Sequence, residues 1–252
     1  MIRIAGLGPG SKDAVTVGTF ELLKGSQKIF LRTEKHPTVD YIRSIGIKFE
    51  TYDYKYEGAD SFDEIYMDIS KSILEQHDTY GDIVYAVPGH PLVAEKSVNL
   101  IINLCKEKNI DYKIYPAVSF IDSLIDAVKI DPVEGLKIID AFDMENQLLD
   151  RRCGTVITQV YDKYIASEVK LKLMDYYKDD SEIYFVRAAG IEGQESIRKI
   201  KLFEIDRQND IDYLTSLYIP KNTESKRDIY DLLDVMDKLR NEGGCPWDRE
   251  QT

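Results

Sequence analysis

Up to about residue 130 the chain alternates short β-rich runs with longer helical patterns, and its strands stop at glycine- or proline-bearing loops. That order points to an α/β unit with a largely parallel sheet, because parallel neighbours need a crossover between them and a helix is the usual one. The spacing predicts strands over Met1–Leu7, Lys28–Leu31, Asp82–Val87 and Tyr112–Tyr115. Between and after them it predicts helices over Asp13–Leu23, Phe62–Gln76, Leu92–Glu107 and Ser119–Val128. Ile65, Ile69, Ile73 and Leu74 give the second helix its apolar stripe.

Lys129–Gly135, with Asp131-Pro132 and Gly135, reads as a hinge. Beyond it strands are expected at Leu136–Ile139, Gly154–Val160, Ile183–Val186, Ile197–Leu202 and Ser216–Ile219, with one long helix near Tyr164–Tyr177. This describes a mixed sheet in a second α+β lobe. The expected division is 1–128, 129–222 and 223–252, the last being a linker helix with Ile229, Leu232, Leu233, Met236 and Leu239 on one side. Ser225-Lys226-Arg227-Asp228 is suited to cap that helix.

Composition narrows the function. Of 252 residues, 43% are apolar and 31% charged, the balance of a soluble globular protein. A net charge of −12 disfavours contact with a nucleic-acid backbone. No apolar run approaches the ~18 residues of a membrane span. Met1 runs straight into a strand, so no signal peptide is expected. Cys105, Cys153 and Cys245 have neither metal nor disulfide-framework spacing, which fits a reducing cytoplasm.

Three strand ends carry the chemistry. Gly6-Leu7-Gly8-Pro9-Gly10 allows close backbone approach, yet it is neither a dinucleotide fingerprint nor a P-loop: the third glycine comes early and Pro9 lacks an N–H. Pro88-Gly89-His90-Pro91 follows the strand Asp82–Val87, and Pro116-Ala117-Val118-Ser119-Phe120 the strand Tyr112–Tyr115. In a parallel sheet such loops share the carboxyl edge, where α/β folds bind ligands. No nucleophilic triad or metal cluster is visible, and no catalytic residue is assigned.

The succession GLGPG, GDIVYAVPGHPLV, YPAVS, VITQVYD, YFVRAAG and SLYIP resembles the tetrapyrrole methylase family of class III S-adenosylmethionine-dependent methyltransferases, over roughly residues 1–220. The resemblance implies a two-lobed α/β fold, with the cofactor in a cleft between a parallel-sheet lobe and a mixed-sheet lobe, and a homodimer. It places Pro9 beside the cofactor, with Gly89, His90 and Val93 in the second loop and Ser119 and Phe120 in the third. Val160 or Tyr161 would contact the adenine side, and Ala188 with Thr215 through Leu217 would complete the site. The cofactor implied is S-adenosyl-L-methionine, with S-adenosyl-L-homocysteine as product and a small molecule as acceptor. Two positions depart from the pattern: His90 stands where relatives often carry an acid, and Ala117 where glycine is frequent. They favour an alternative, a non-catalytic module that senses a ligand or dimerises and regulates a hydrolase.

The tail Leu232–Thr252, with GGCPWDREQT, resembles the opening of a MazG nucleotide pyrophosphohydrolase domain. Bacterial methylase–MazG fusions have this order, so the chain is expected to be cut just inside a second domain carried in cis. Such a hydrolase holds Mg²⁺ on acidic residues beyond the opening, so no pyrophosphohydrolase activity is expected of these residues.

Further readings concern single side chains. His36 and His77 read as solvated residues beside helices, and Lys178-Asp179-Asp180 as a solvated turn. Tyr52, Tyr54 and Tyr56 alternate as on an edge strand, or as an aromatic lip for a flat substrate. Arg187 either anchors an acidic substrate or pairs locally.

Overall fold

A computed structural model describes residues 1–57, 61–222 and 229–250. The expected cap at Ser225–Asp228 lies outside the described residues. The chain divides into two compact units: Met1–Asp131 with Val186–Ile197, and Pro132–Phe185 with Arg198–Thr252. The segment Val186–Ile197 therefore packs with the first unit, although it lies beyond the hinge in sequence.

The first unit is built on five parallel strands: β1 (Ile2–Gly6), β2 (Ile29–Leu31), β3 (Glu50–Thr51), β4 (Ile83–Val87) and β5 (Tyr112–Tyr115), in the order β3-β2-β4-β1-β5. The crossovers carry α1 (Val17–Gly25), α2 (Pro37–Ser44), α3 (Phe62–Tyr80) and α4 (Lys96–Lys108), and α5 (Phe120–Val128) follows β5. Every residue of β4 is buried, as a central strand covered on both faces requires. On one face Ile4, Ile83 and Tyr85 pack with Ile69 and Ile73 of α3 and Val98 and Ile101 of α4. On the other, Ala5, Val84 and Ala86 pack with Leu23 of α1 and Val39 and Ile42 of α2.

The second unit holds a mixed sheet of β6 (Leu136–Asp140), β7 (Gly154–Thr158), β8 (Glu182–Arg187), β9 (Ser196–Lys201) and β10 (Thr215–Ile219), ordered β6-β7-β10-β8-β9. β6 runs parallel to β7, and β10 antiparallel to it. α6 (Lys163–Met174) packs Val169 and Leu173 against Ile157, Phe185 and Leu217. After the second unit's sheet come α7 (Ile229–Arg240) and the short α8 (Pro246–Arg249). Ile229, Leu232, Leu233, Met236 and Leu239 remain 40–59% exposed, so the apolar stripe of α7 lies uncovered. No helix is long and apolar enough among the described residues to cross a membrane.

Several elements differ from expectation for local reasons. The first helix begins at Val17 because the Thr16 side chain accepts the Thr19 N–H and caps it there, leaving Lys12–Ala14 as a separate 3-10 turn. The helix expected from Leu92 begins at Lys96, since Ala94 is left-handed (φ 53°). β7 stops at Thr158 because Gln159 turns to φ 63°. Tyr52, Tyr54 and Tyr56 form no strand: β3 ends at Thr51, and Asp53–Tyr56 is a 3-10 turn. Tyr52 lies in the core, Tyr54 is exposed, and the Tyr56 hydroxyl accepts a hydrogen bond from Arg32, so the three share no aromatic face.

Candidate functional site

All five strands of the first sheet point the same way, so the loops after β1, β4 and β5 leave from neighbouring strand ends. Gly6 shows how closely they meet. A Cβ there would lie 2.2 Å from the Gly89 carbonyl oxygen, 2.6 Å from Ala117 Cβ and 2.8 Å from Pro91 Cδ. One glycine thus touches the second and third loops at once. The first two loops are also stitched through backbone: Gly89 N–H donates to Gly8 O at 2.8 Å, and Gly8 N–H returns to Gly89 O at 3.3 Å.

Gly89 is the informative position. It is buried and left-handed (φ 65°), yet a Cβ built on it meets nothing within 4 Å. A buried backbone that faces open space is a place where a ligand can lie against the main chain. Pro9, in the first loop, is buried, and Val93 is half-buried. His90 Nδ1 accepts the Leu92 N–H at 3.1 Å, and Val93 N–H donates to His90 O at 3.0 Å, so the imidazole braces its own loop.

Ser119 caps α5. Its hydroxyl donates to Asp122 Oδ2 at 2.7 Å and accepts the Asp122 N–H at 3.3 Å, while its own N–H also reaches Asp122 Oδ2, at 2.6 Å. The hydroxyl proton is thereby committed to the capping box. Phe120, the first residue of α5, is half-buried.

Ala188 belongs to this unit as well, in the left-handed region (φ 53°). The segment around it abuts both the first loop and α5: a Cβ on Gly10 would lie 2.8 Å from Ile191 Cδ1, and one on Gly190 2.7 Å from Ser123 Oγ. Ala94 and Ala188 are both left-handed without being glycine, a strain concentrated at ligand-clamping loops. Arg187 Nη1 donates to Gln194 O at 3.3 Å.

The other candidates gather in the second unit. Val160 N–H donates to Thr215 O at 3.3 Å, and Leu217 pairs with Ile157 across β7 and β10. Val160, Thr215 and Leu217 are buried, and Tyr161 is half-exposed with its hydroxyl donating to Gln159 Oε1 at 2.8 Å. Gln159 Nε2 reaches Asp140, whose carboxyl is pushed upward by burial.

Sequence reasoning passed over a fourth loop at the same sheet edge, the one after β2. Arg32 Nε lies 3.0 Å from Glu95 Oε2, and its Nη1 donates to Tyr56 at 3.2 Å. Glu95 is 5% exposed; it accepts from Ser97 Oγ, which is 2.9 Å from the buried Tyr85 hydroxyl. Burial raises the Glu95 pKa, opposed by Arg32 and Ser97. For Arg32 burial works against the cation, but Glu95 outweighs it with help from the tyrosines, and the guanidinium stays charged. His36 is not solvated as expected. Its Nδ1 is buried without a partner, and burial together with Arg32 lowers its pKa to about 4. His77 Nδ1 meets Gly81 O at the end of α3. The sequence signal for this cluster was three basic side chains, Arg32, Lys35 and His36, in the short run after a strand.

The parallel sheet with its closely joined strand-end loops is a scaffold shared by a known class of proteins. The model for tetrapyrrole (corrin/porphyrin) methylases matches residues 1–206, and the chain belongs to that family. Among curated proteins it is 39% identical over 254 residues to the uncharacterized protein YabN of Bacillus subtilis (strain 168), a match covering 100% of this chain and 52% of that protein. The chain therefore spans about half the length of that relative.

Solved structures share the fold. Uroporphyrin-III-C-methyltransferase from Thermus thermophilus superposes with a TM-score of 0.67 at 13% identity, covering 87% of this chain and 91% of that one. The methyltransferase CobJ gives 0.65 at 16%, covering 90% and 96%. A further Thermus thermophilus structure, complexed with S-adenyl homocysteine, gives 0.62 at 15%, covering 86% and 95%.

Proposed function

We propose that the chain binds S-adenosyl-L-methionine and transfers its methyl group to a small-molecule acceptor, leaving S-adenosyl-L-homocysteine. The observation that carries the reading is the open space against buried Gly89, at the meeting of three strand-end loops in a member of this family. Pro9, Gly89, His90, Val93, Ser119, Phe120 and Ala188 are the proposed contacts of the first unit. In the same proposal Val160 or Tyr161 contacts the adenine side, and Thr215 through Leu217 complete the set of contacts.

The bound sulfonium would supply an electrophilic methyl carbon, the electrons of its C–S bond staying on sulfur. The chain has to position that carbon and exclude water, tasks that supply much of the acceleration in such displacements. The braced loop Gly89–Val93 suits the first task, since its hydrogen bonds fix the backbone before ligand arrives. A homodimer, a cytoplasmic setting and a MazG domain in cis complete the proposal.

The second reading, a sensor without turnover, draws on His90, whose Nδ1 is spent on its own loop. Calorimetry tests the shared cofactor claim. Micromolar binding of S-adenosylmethionine or its demethylated product supports it, and no heat from a folded sample refutes it. Methyl transfer from labelled cofactor to candidate acceptors then separates enzyme from sensor.

A further inference from the structure

The loop after β2 holds two polar groups that the protein leaves unsatisfied. Arg32 is fixed by its backbone N–H to Ala86 O at 2.9 Å, by Glu95 across Nε and by Tyr56 on Nη1. Its Nη2 has no partner among the described residues, and the side chain keeps 20% of its exposure while Glu95 keeps 5%. The guanidinium is therefore closed from the carboxylate side and open on the other. His36, four residues on, keeps a buried Nδ1 with no partner. Its imidazole is neutral near pH 7, so it adds no repulsive charge beside Arg32. Buried polar atoms without partners are uncommon in native folds, so His36 Nδ1, beside a guanidinium with an open edge, calls for an explanation.

The location supplies one. A Cβ on Gly10 would lie 3.5 Å from Pro37 Cγ, so the residue after His36 adjoins the first glycine loop. The loop itself is held by Asp53, which accepts from Thr33 Oγ1 at 2.6 Å and from Glu34 N–H at 2.7 Å. Arg32 and His36 thus sit on a braced support at the edge of the proposed cofactor cradle.

We infer that this loop is an oxyanion subsite, in which Arg32 Nη2 and the His36 imidazole N–H hold a carboxylate or phosphate group carried by the methyl acceptor. A planar guanidinium with one open edge is well matched to either group, and its charge makes the hydrogen bond a strong one. Glu95, braced by Ser97, keeps the guanidinium charged and turned outward. Naming the ligand an acceptor rests on the methyltransferase reading; the subsite itself does not.

The test follows the three histidine ring signals in the ¹³C-labelled chain during titration with trimesate, a tricarboxylate, and separately with inorganic phosphate. Saturable movement of the His36 signal by one probe supports the subsite and names its chemistry. Arg32→Met is expected to weaken that probe by about tenfold, and Arg32→Lys by less. If Arg32→Met does not fold, His36→Asn carries the test through a weaker affinity seen by calorimetry. A His36 signal that neither probe moves, or equal affinity in the folded variants, overturns the inference. S-adenosylhomocysteine is titrated in parallel: its failure to bind sinks the methyltransferase reading, whereas probe binding at Arg32 stands or falls separately.

Discussion

Replacing Gly6 with alanine tests whether the three loops meet as described. The added Cβ would meet Gly89 O at 2.2 Å, Ala117 Cβ at 2.6 Å and Pro91 Cδ at 2.8 Å. None of these is the end of a flexible side chain, so relief requires moving backbone. Overpacking costs ~1–3 kcal/mol, and three such contacts put Gly6→Ala near the upper end. For a chain of this size that predicts a fall in melting temperature of roughly 6–12 °C.

Gly89→Ala is the matched control, since its Cβ enters empty space. Its cost is the left-handed backbone alone, about 1–2 kcal/mol, but it fills the proposed cradle. Calorimetry should show Gly89→Ala binding S-adenosylhomocysteine at least ~10-fold more weakly while remaining the more stable of the two. If Gly6→Ala melts with the parent protein, the loops do not converge on Gly6. Undiminished affinity in Gly89→Ala would show that the cradle is elsewhere.

Glu95→Ala leaves the partly buried Arg32 without its carboxylate and should cost about 3 kcal/mol in urea unfolding, the low end for a broken buried pair because Arg32 keeps Tyr56 and some exposure; a loss under ~1 kcal/mol would contradict the pair. His36 sets a pH dependence. Its folded pKa of about 4 lies below the ordinary 6.5, so the unfolded chain binds the proton more readily. The stability is complete above pH 6.5 and is lost as pH falls toward 4, by about 2 kcal/mol between pH 7 and 5. His36→Asn should remove that slope from unfolding midpoints, and an unchanged slope would assign it to other groups. Ser119→Ala should cost about 1 kcal/mol through the lost cap of α5, read as a lower melting temperature. Leu233→Ser with Met236→Ser, on the exposed face of α7, should shift unfolding by no more than ~0.5 kcal/mol per site, and a fall of several degrees would mean that face is covered in solution.

The parallel sheet and its edge were legible because their signals are local. Ile83–Val87 is a continuous apolar run closed by Pro88 and Gly89, and that pattern identifies a buried strand and its ligand-facing end without any partner. The proposed cofactor contacts in the loops after β1, β4 and β5 came from the family resemblance that those strand ends carry.

What escaped depends on contacts distant in sequence. Arg32 carries no signal of its own in the sequence, since its partner Glu95 lies in another crossover. His36 reads as a polar helix neighbour until packing encloses its ring. Tyr52 had the period of an edge strand, but its N–H pairs with Leu31 O and its ring turns into the core between Phe30 and Tyr85. The return of Val186–Ile197 to the first unit is likewise set by Gly10 and Gly190 fitting against Ile191 and Ser123, which no local periodicity announces.

The central claim is that the backbone around Gly8, Gly89 and Ser119 holds a sulfonium nucleoside. A crystal structure of the chain grown with S-adenosylhomocysteine tests it most directly. The account predicts density lying against Gly89 in the space its missing side chain leaves, within contact of Pro9 and Val93. Ligand bound away from those loops, or an empty cradle at saturating ligand, would contradict it.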